Sequence, residues 1–289
     1  MTRRFEGKVV LVTGAARGQG KSHSVRFAEE GATVIAVDIL EQIETVRYAM
    51  GSEDDLADTV AQVTAVGGTI RATKADVRVR DQLEAVVAGA LEEFGRLDVV
   101  VANAGILPLK TPTSVQSFID ALDVDLIGVL NTVAVTVPHL TEGSAIVITG
   151  STAGLMPGSV DNPALGPGGV GYGMAKRFLV GYTETLAMQL APSSVRVNAI
   201  HPTNVNTNLL HNDDLYRVFR PDVAQPTVDD VRVSFTAYHA LPVPYVEPRD
   251  VSEAVLWLAS DDARTVTGVN LRIDAGSLLK SGSLSQQAR

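Results

Sequence analysis

Lys8-Val9-Val10-Leu11-Val12-Thr13-Gly14-Ala15-Ala16-Arg17-Gly18-Gln19-Gly20 is a short β-branched run that stops at a glycine and passes into a helix-forming segment. The run is apolar throughout instead of alternating, the mark of a strand covered on both faces. The glycines follow as Gly-x-x-x-Gly-x-Gly. Glycine admits positive φ and lets the backbone approach a ligand closely, while the next helix points its free N–H groups and partial positive charge at the same spot. Strand, glycine turn and helix together can hold a pyrophosphate. Taken alone, the turn reads equally well as a backbone device with no ligand.

Outward from this unit the same alternation repeats. Further β-type runs begin near residues 33 (TVIAVD), 69 (TIRATKADV), 97 (LDVVVAN), 144 (SAIVITG), 194 (SVRVNAI) and 269 (VNLRID). Helix-length segments lie between them near 19–30, 54–66, 80–94, 114–138, 170–190 and 249–259. The pattern predicts an α/β fold: a single-domain Rossmann-type doubly wound parallel sheet of about seven strands with helices on both faces. Residues 1–289 are read as one dinucleotide-binding and catalytic domain. Three stretches break the rhythm: 39–53, the Gly- and Pro-rich 152–169, and 203–247. Loops of this size in a compact domain are commonly functional. Residues 203–247 follow a strand's carboxyl end and carry Leu209, Leu210, Tyr216, Phe219, Phe235 and Tyr238, so a lid closing over a substrate is expected, a subunit interface being the alternative use of these aromatics. The polar tail 280–289 is expected to be mobile.

Composition narrows the function. Of 289 residues, 33 are acidic and 24 basic, a formal charge of -9 with the two signs intermixed. No basic patch points to nucleic acid or an anionic membrane. There is no cysteine, which excludes disulfides, thiolate catalysis and thiolate metal sites. The five histidines show no ligand spacing, so no metal is expected; His201 and His211 are read as surface or loop residues. The amino terminus runs straight into the first strand without a long apolar segment, and a cytoplasmic protein is expected. Trp257, within VSEAVLWLAS, is expected in the core or a subunit interface.

Asp38 ends the second strand, where an acidic side chain in a dinucleotide fold accepts from the adenosine ribose and repels a 2′-phosphate. Arg17 in the glycine turn would attract that phosphate. With Ile39 next to Asp38 and no basic neighbour there, NAD is expected over NADP. A second pair carries chemistry. Tyr172 and Lys176, four residues apart, share one helical face. A tyrosine near its ordinary pKa of about 10 is a poor proton carrier at neutral pH, and a nearby ammonium stabilises its phenolate.

Taken in order, the glycine turn, Asp76-Val77, Asn103-Ala104-Gly105, Ser151, Tyr172-x-x-x-Lys176 and Pro202-Thr203 with Thr207 resemble the short-chain dehydrogenase/reductase family over nearly the whole chain. TGAARGQGKSH, AVD, the extended 39–53 connection and NAIHPTNVNTNLL are similar, more narrowly, to its carveol-dehydrogenase-like, mycofactocin-associated branch. The resemblance implies that Gly14, Arg17, Gly18, Gln19, Gly20, Asp38 and Ile39 hold the adenosine and pyrophosphate. It also implies that Asn103, Ala104 and Gly105 border the adenosine and ribose, and that Pro202, Val205 and Thr207 meet the nicotinamide carboxamide. Strand-end turns and an ordinary loop entry are the plainer readings of these last two groups. Asp76 either caps the following segment or touches adenine with Val77. Lys176 is implied to hold the nicotinamide ribose, Ser151 to bond the substrate oxygen, and Tyr172 to transfer the proton. The family's usual asparagine before the fifth strand is replaced in Val124-Asp125-Leu126-Ile127-Gly128. Asp125 is therefore grouped with Ser151, Tyr172 and Lys176 in the catalytic set, either keeping that asparagine's hydrogen bonds while adding charge beside Lys176 or serving as a structural carboxylate paired elsewhere. The Ser151-to-Tyr172 interval is longer than the family usually shows and is expected to border the substrate.

The implied function is hydride transfer between NAD and a small, largely apolar secondary alcohol or ketone, terpenoid-like and carveol-type. The implied assembly is a homotetramer, and the branch implies an external electron acceptor such as mycofactocin. A catalytically weak NAD-binding protein is the alternative. A sugar-nucleotide epimerase is disfavoured, since the chain lacks a large C-terminal substrate domain.

Overall fold

The computed structural model of the protein describes residues 3–109, 114–156 and 165–280. Seven strands form one sheet: β1 (Val9–Thr13), β2 (Thr33–Asp38), β3 (Thr69–Lys74), β4 (Val99–Ala102), β5 (Ala145–Thr149), β6 (Arg196–Pro202) and β7 (Asn270–Ile273), in the order β3-β2-β1-β4-β5-β6-β7. All neighbours pair in parallel, so every connection is a crossover. The order reverses between β1 and β4, and the chain leaves these two strands in opposite directions. A crevice opens there at the carboxyl ends, the place where open α/β sheets bind ligands.

Two apolar layers sandwich the sheet, and successive strand residues feed opposite layers. Leu11, Ile35 and Ile146 pack on one side, with Leu83 and Val87 of α3 (Arg80–Phe94), Val133 of α5 (Gly128–Thr136) and Leu179 of α7 (Gly166–Leu190). Val10, Val12, Val34 and Val147 pack on the other, with Phe27 of α1 (Gly18–Glu29), Leu56 of α2 (Glu53–Ala65) and Val255 of α10 (Pro248–Ala259). This two-sided burial explains the unbroken apolar runs. It lapses at the edge strand β3, whose TIRATK is half-exposed along its length.

The segment predicted as one helix over 114–138 is divided into α4 (Val115–Leu122), a π-helical turn at Asp123–Ile127, and α5. Residues 203–247 are less irregular than their sequence suggests: they contain α8 (Asp213–Phe219) and α9 (Val228–Tyr238), and a bridge joins Val205 to Val246. Asn212 caps α8, and Thr227 with Asp230 forms a capping box at α9. The short α6 (Thr152–Leu155) follows β5. Trp257 is 38% exposed on α10, which leaves the subunit-interface alternative and not this chain's core. One expectation needs correction. His201, read from the sequence as a surface or loop residue, is fully buried within β6, because this central strand is covered on both faces along its whole length, polar residues included. The tail 281–289 lies outside the described residues, as do 157–164 of the Gly- and Pro-rich loop.

Candidate active site

At the switch point a cavity of about 610 Å³ opens along the carboxyl ends of the strands. Its floor is the glycine turn. Gly14 and Gly18 have φ of +67° and +56°, and a side chain on Gly14 would press within 2.9 Å of the Ala104 backbone. The first turn of α1 carries no acidic residue and Arg17 provides no side-chain cap, leaving its N–H groups to face the cavity. Asp38 sits beside this turn, accepting from the N–H groups of Ala16 at 3.0 Å and Leu40 at 3.2 Å. Burial pushes its pKa up, and those N–H groups pull the other way. Arg17 stands 5.7 Å over the Tyr48 ring, and burial lowers its pKa. Tyr48 belongs to the long 39–53 connection and accepts from the Leu107 N–H at 3.0 Å. That connection also reaches α8 through Arg47 and Asp214, 3.3 Å apart. Ile39, Tyr48 and Met50 therefore form a wall over the glycine turn.

Asn103 and Ala104 follow β4. Both backbone N–H groups donate to Thr13 Oγ1, and Asn103 Nδ2 donates to the Thr13 carbonyl, locking β4 against β1. Asp76 does not cap α3, whose N-terminus at Val79 has no side-chain cap; its carboxylate accepts from the Arg78 backbone and guanidinium in a local turn. Asp76 and Val77 nonetheless line the cavity, as do Gly105, Pro202, Val205 and Thr207. Thr207 lies against Gly18, 3.2 Å from where a side chain there would begin.

Ser151, Tyr172 and Lys176 meet at the other end. Ser151 caps α6, its Oγ accepting from the Ala153 N–H at 3.1 Å, and it is hydrogen-bonded to Tyr172. Lys176 is buried; its Nζ donates to the Thr149 carbonyl at 2.9 Å and stands 5.6 Å from the Tyr172 ring centre. Asp125 is not paired elsewhere. Its Oδ1 lies 3.1 Å from Lys176 Nζ, and its Oδ2 accepts from the Ile106 N–H at 3.3 Å. Among the described residues Oδ1 has no polar partner besides Lys176. Gly105 has to be glycine here, as a side chain would come within 2.7 Å of that same oxygen. Burial raises the Asp125 pKa to about 6, against the pull of Lys176. Burial also raises the Tyr172 pKa, the Asp125 charge adds to the rise, and only the Ser151 hydrogen bond opposes it. Lys176 thus stands between the Tyr172 ring and the Asp125 carboxylate.

The remaining wall is apolar. Leu107, Met156, Leu165, Leu209, Val218 and Phe219 border it, with Tyr238 at its rim. Tyr216 and Phe235 pack behind the wall in a separate cluster with Leu109 and Val231. His211 is a half-buried loop residue bonded to the Tyr216 hydroxyl at 2.8 Å. Tyr48 and His201 are among the residues not singled out from the sequence as part of the site. Tyr48 lies in an irregular extension with no spacing to mark it. His201 contacts the backbone of Ser151, and its place in an apolar strand register was the available signal.

The chain belongs to the short-chain dehydrogenase/reductase family of oxidoreductases: the family model described as "Enoyl-(Acyl carrier protein) reductase" matches residues 14–277, and full-length relatives agree. It is 43% identical over 283 residues to (-)-trans-carveol dehydrogenase of Rhodococcus erythropolis, covering 96% of this chain and 99% of the relative. Among solved structures, carveol dehydrogenase from Mycobacterium avium in complex with NAD superposes with a TM-score of 0.90 at 41% identity, over 96% of this chain and all of that one. A short chain dehydrogenase from Mycobacterium paratuberculosis bound to NAD gives 0.83 at 35%, over 96% and 99%. The likeness to carveol dehydrogenases holds across the whole chain.

Proposed function

We propose that the protein is an NAD-dependent dehydrogenase of small, largely apolar secondary alcohols, working in the reverse sense as a ketone reductase, with terpenoid alcohols of the carveol type as its substrate class. The observation that carries this reading is the convergence of Ser151, Tyr172 and Lys176 at the apolar end of a cavity whose other end is the glycine turn.

The residues at the glycine turn fit a dinucleotide. Gly14 and Gly18 leave room for close approach, the uncapped α1 N-terminus offers N–H groups to a pyrophosphate, and Asp38 suits ribose hydroxyls while repelling a 2′-phosphate. Gln19 Oε1 and Asn204 Nδ2 are buried at the cavity wall without hydrogen-bond partners, an acceptor and a donor available to a polar ligand. When bound, NAD supplies the hydride acceptor. The protein supplies the rest. Ser151 Oγ and the Tyr172 hydroxyl bind the alcohol oxygen, Tyr172 takes its proton as general base, and Lys176 keeps positive charge beneath the tyrosine ring. Leu107, Leu209 and Phe219 present an apolar wall that excludes water and suits an apolar substrate.

The family resemblance extends the proposal to a homotetramer and to a tightly held NAD reoxidised by an external acceptor such as mycofactocin. Apolar side chains left exposed on α4 and α7, among them Val115, Ile119, Met174 and Phe178, support association. One observation favours the second reading, a catalytically weak NAD-binding protein: Asp125 raises the pKa of the tyrosine that has to ionise.

Steady-state assays over a panel of secondary, primary and carboxylated alcohols, each with NAD and NADP, test the proposal. Turnover confined to apolar secondary alcohols with NAD is expected, and Asp38→Ala should narrow the preference for NAD. Turnover preferring NADP, or no turnover with any secondary alcohol, would overturn it.

A further inference from the structure

His201 lies behind Ser151, fully buried, with both ring nitrogens engaged. Nε2 is 2.8 Å from Asn270 Oδ1. The Asn270 amide is oriented by its Nδ2, which donates to Glu184 Oε1 at 3.2 Å and to the Val180 carbonyl at 3.4 Å on α7. Its oxygen thus faces the ring and can only accept, so Nε2 carries the hydrogen. Nδ1 lies 3.2 Å from the Ser151 nitrogen and 3.0 Å from the Ser151 carbonyl oxygen. That carbonyl already accepts from the Gly154 N–H at 3.0 Å. Burial lowers the imidazole pKa and the Lys176 charge acts in the same direction, against the contacts with Asn270 and the Ser151 carbonyl. A neutral ring with hydrogen on Nε2 presents a lone pair at Nδ1, which accepts the Ser151 N–H.

Space tells the same story. A side chain on Gly150 would sit 2.4 Å from His201 Cε1, so the ring occupies the volume beneath the strand end. Lys176 grips the Thr149 carbonyl, and His201 grips the Ser151 amide two residues on.

We infer that His201 is a positioning residue: it fixes the Ser151 hydroxyl through the Ser151 backbone amide, and Asn270 sets the tautomer that makes this possible. The inference rests on the proposed role of Ser151 in binding the alcohol oxygen. The His201–Asn270 pair ties β5, β6 and β7 to α7, the helix of Tyr172, so the two groups that meet the substrate oxygen share one frame.

Two isosteres separate positioning from packing. In His201→Asn the amide sits at the place of Nδ1 and can accept from Ser151. In His201→Gln it sits at the place of Nε2, keeping the Asn270 bond and losing Ser151. The expected result is that His201→Gln lowers kcat about tenfold or more with the NAD dissociation constant unchanged, while His201→Asn stays close to wild type. Hydrogen exchange of the peptide containing Ser151 provides an arm independent of turnover: its amide should exchange faster in His201→Gln than in His201→Asn. Equal kcat losses, or equal exchange, in the two isosteres would overturn the inference. If neither variant folds, Asn270→Ala on the edge strand serves, expected to lower kcat and speed Ser151 exchange; no change in either overturns the inference. Loss of the proposed function itself shows differently, as absence of alcohol turnover in the wild type.

Discussion

Lys176 faces a choice of partners that the family pattern does not normally offer, because the carboxylate at position 125 stands 3.1 Å from its ammonium. A buried charge without a partner is costly, so the pair is self-consistent, yet the same carboxylate works against ionisation of Tyr172. Asp125→Asn removes the negative charge and can keep an acceptor for the Ile106 N–H. Turnover should be maintained or increased, and the rising limb of the kcat profile for alcohol oxidation should move to lower pH, because the tyrosine then ionises more readily. A tenfold loss measured across that profile would show that the carboxylate has a role of its own. The Tyr172 and Lys176 pair was legible in the sequence, since four residues on a helix fix a shared face whatever surrounds it. For Asp125 the sequence offered Lys176 as one of two neighbours without deciding between them, as that depends on how the π-helical turn at Asp123–Ile127 aims that side chain across to α7. His201 was misjudged for a related reason: polarity suggested an exposed residue, but β6 is covered on both faces.

Elements followed from the sequence wherever burial imposed a period. The apolar runs of β1, β2, β4, β5 and β6 are legible because both faces are covered, whereas the edge strand β3 carries Arg71 and Lys74 and is identified mainly by its position between helices. The helices α8 and α9 escaped notice because they are short, with Pro221 and Pro226 between them, and their caps, Asn212 and Thr227, look like ordinary loop residues. The contact of α1 with α10 carries a pH dependence. His23 is buried there with Nδ1 on Ser252 Oγ and Nε2 unpartnered, and burial lowers its pKa from 6.5 to about 3. The unfolded chain therefore binds a proton below about pH 6.5 that the folded chain refuses until about pH 3, so stability falls as pH falls through that window. The contribution at pH 5 is about 2 kcal/mol. Denaturant unfolding between pH 5 and 7 should show a shallower pH slope in His23→Leu than in the wild type; identical slopes would contradict the assignment.

At the scale of the molecule, the sheet order places the glycine turn and the Ser151–Tyr172 pair at the same edge, and residues 39–53 and 203–247 wall the cavity between them. The cavity's position follows from strand order, and part of its lining was expected, Phe219 from the 203–247 segment and Met156 and Leu165 from the Ser151-to-Tyr172 interval; Leu107 was not, because it lies in a segment without a repeating pattern. The Arg47–Asp214 ion pair joins the two walls, and the account predicts that protein purified without added nucleotide carries NAD, as mass spectrometry of the denatured protein would detect. Turnover should then be slow with added free NAD and fast when an artificial acceptor reoxidises the bound cofactor; protein that purifies empty would remove this refinement and leave the dehydrogenase reading intact. The central claim is that Tyr172 moves the proton that permits hydride transfer from an apolar secondary alcohol. Single-turnover formation of reduced nicotinamide, followed by its near-ultraviolet absorbance after mixing NAD-loaded enzyme with such an alcohol, tests it in wild type and Tyr172→Phe. A rate lower by about 10² to 10⁴ in the variant, with NAD bound equally well, is predicted; equal rates would contradict it.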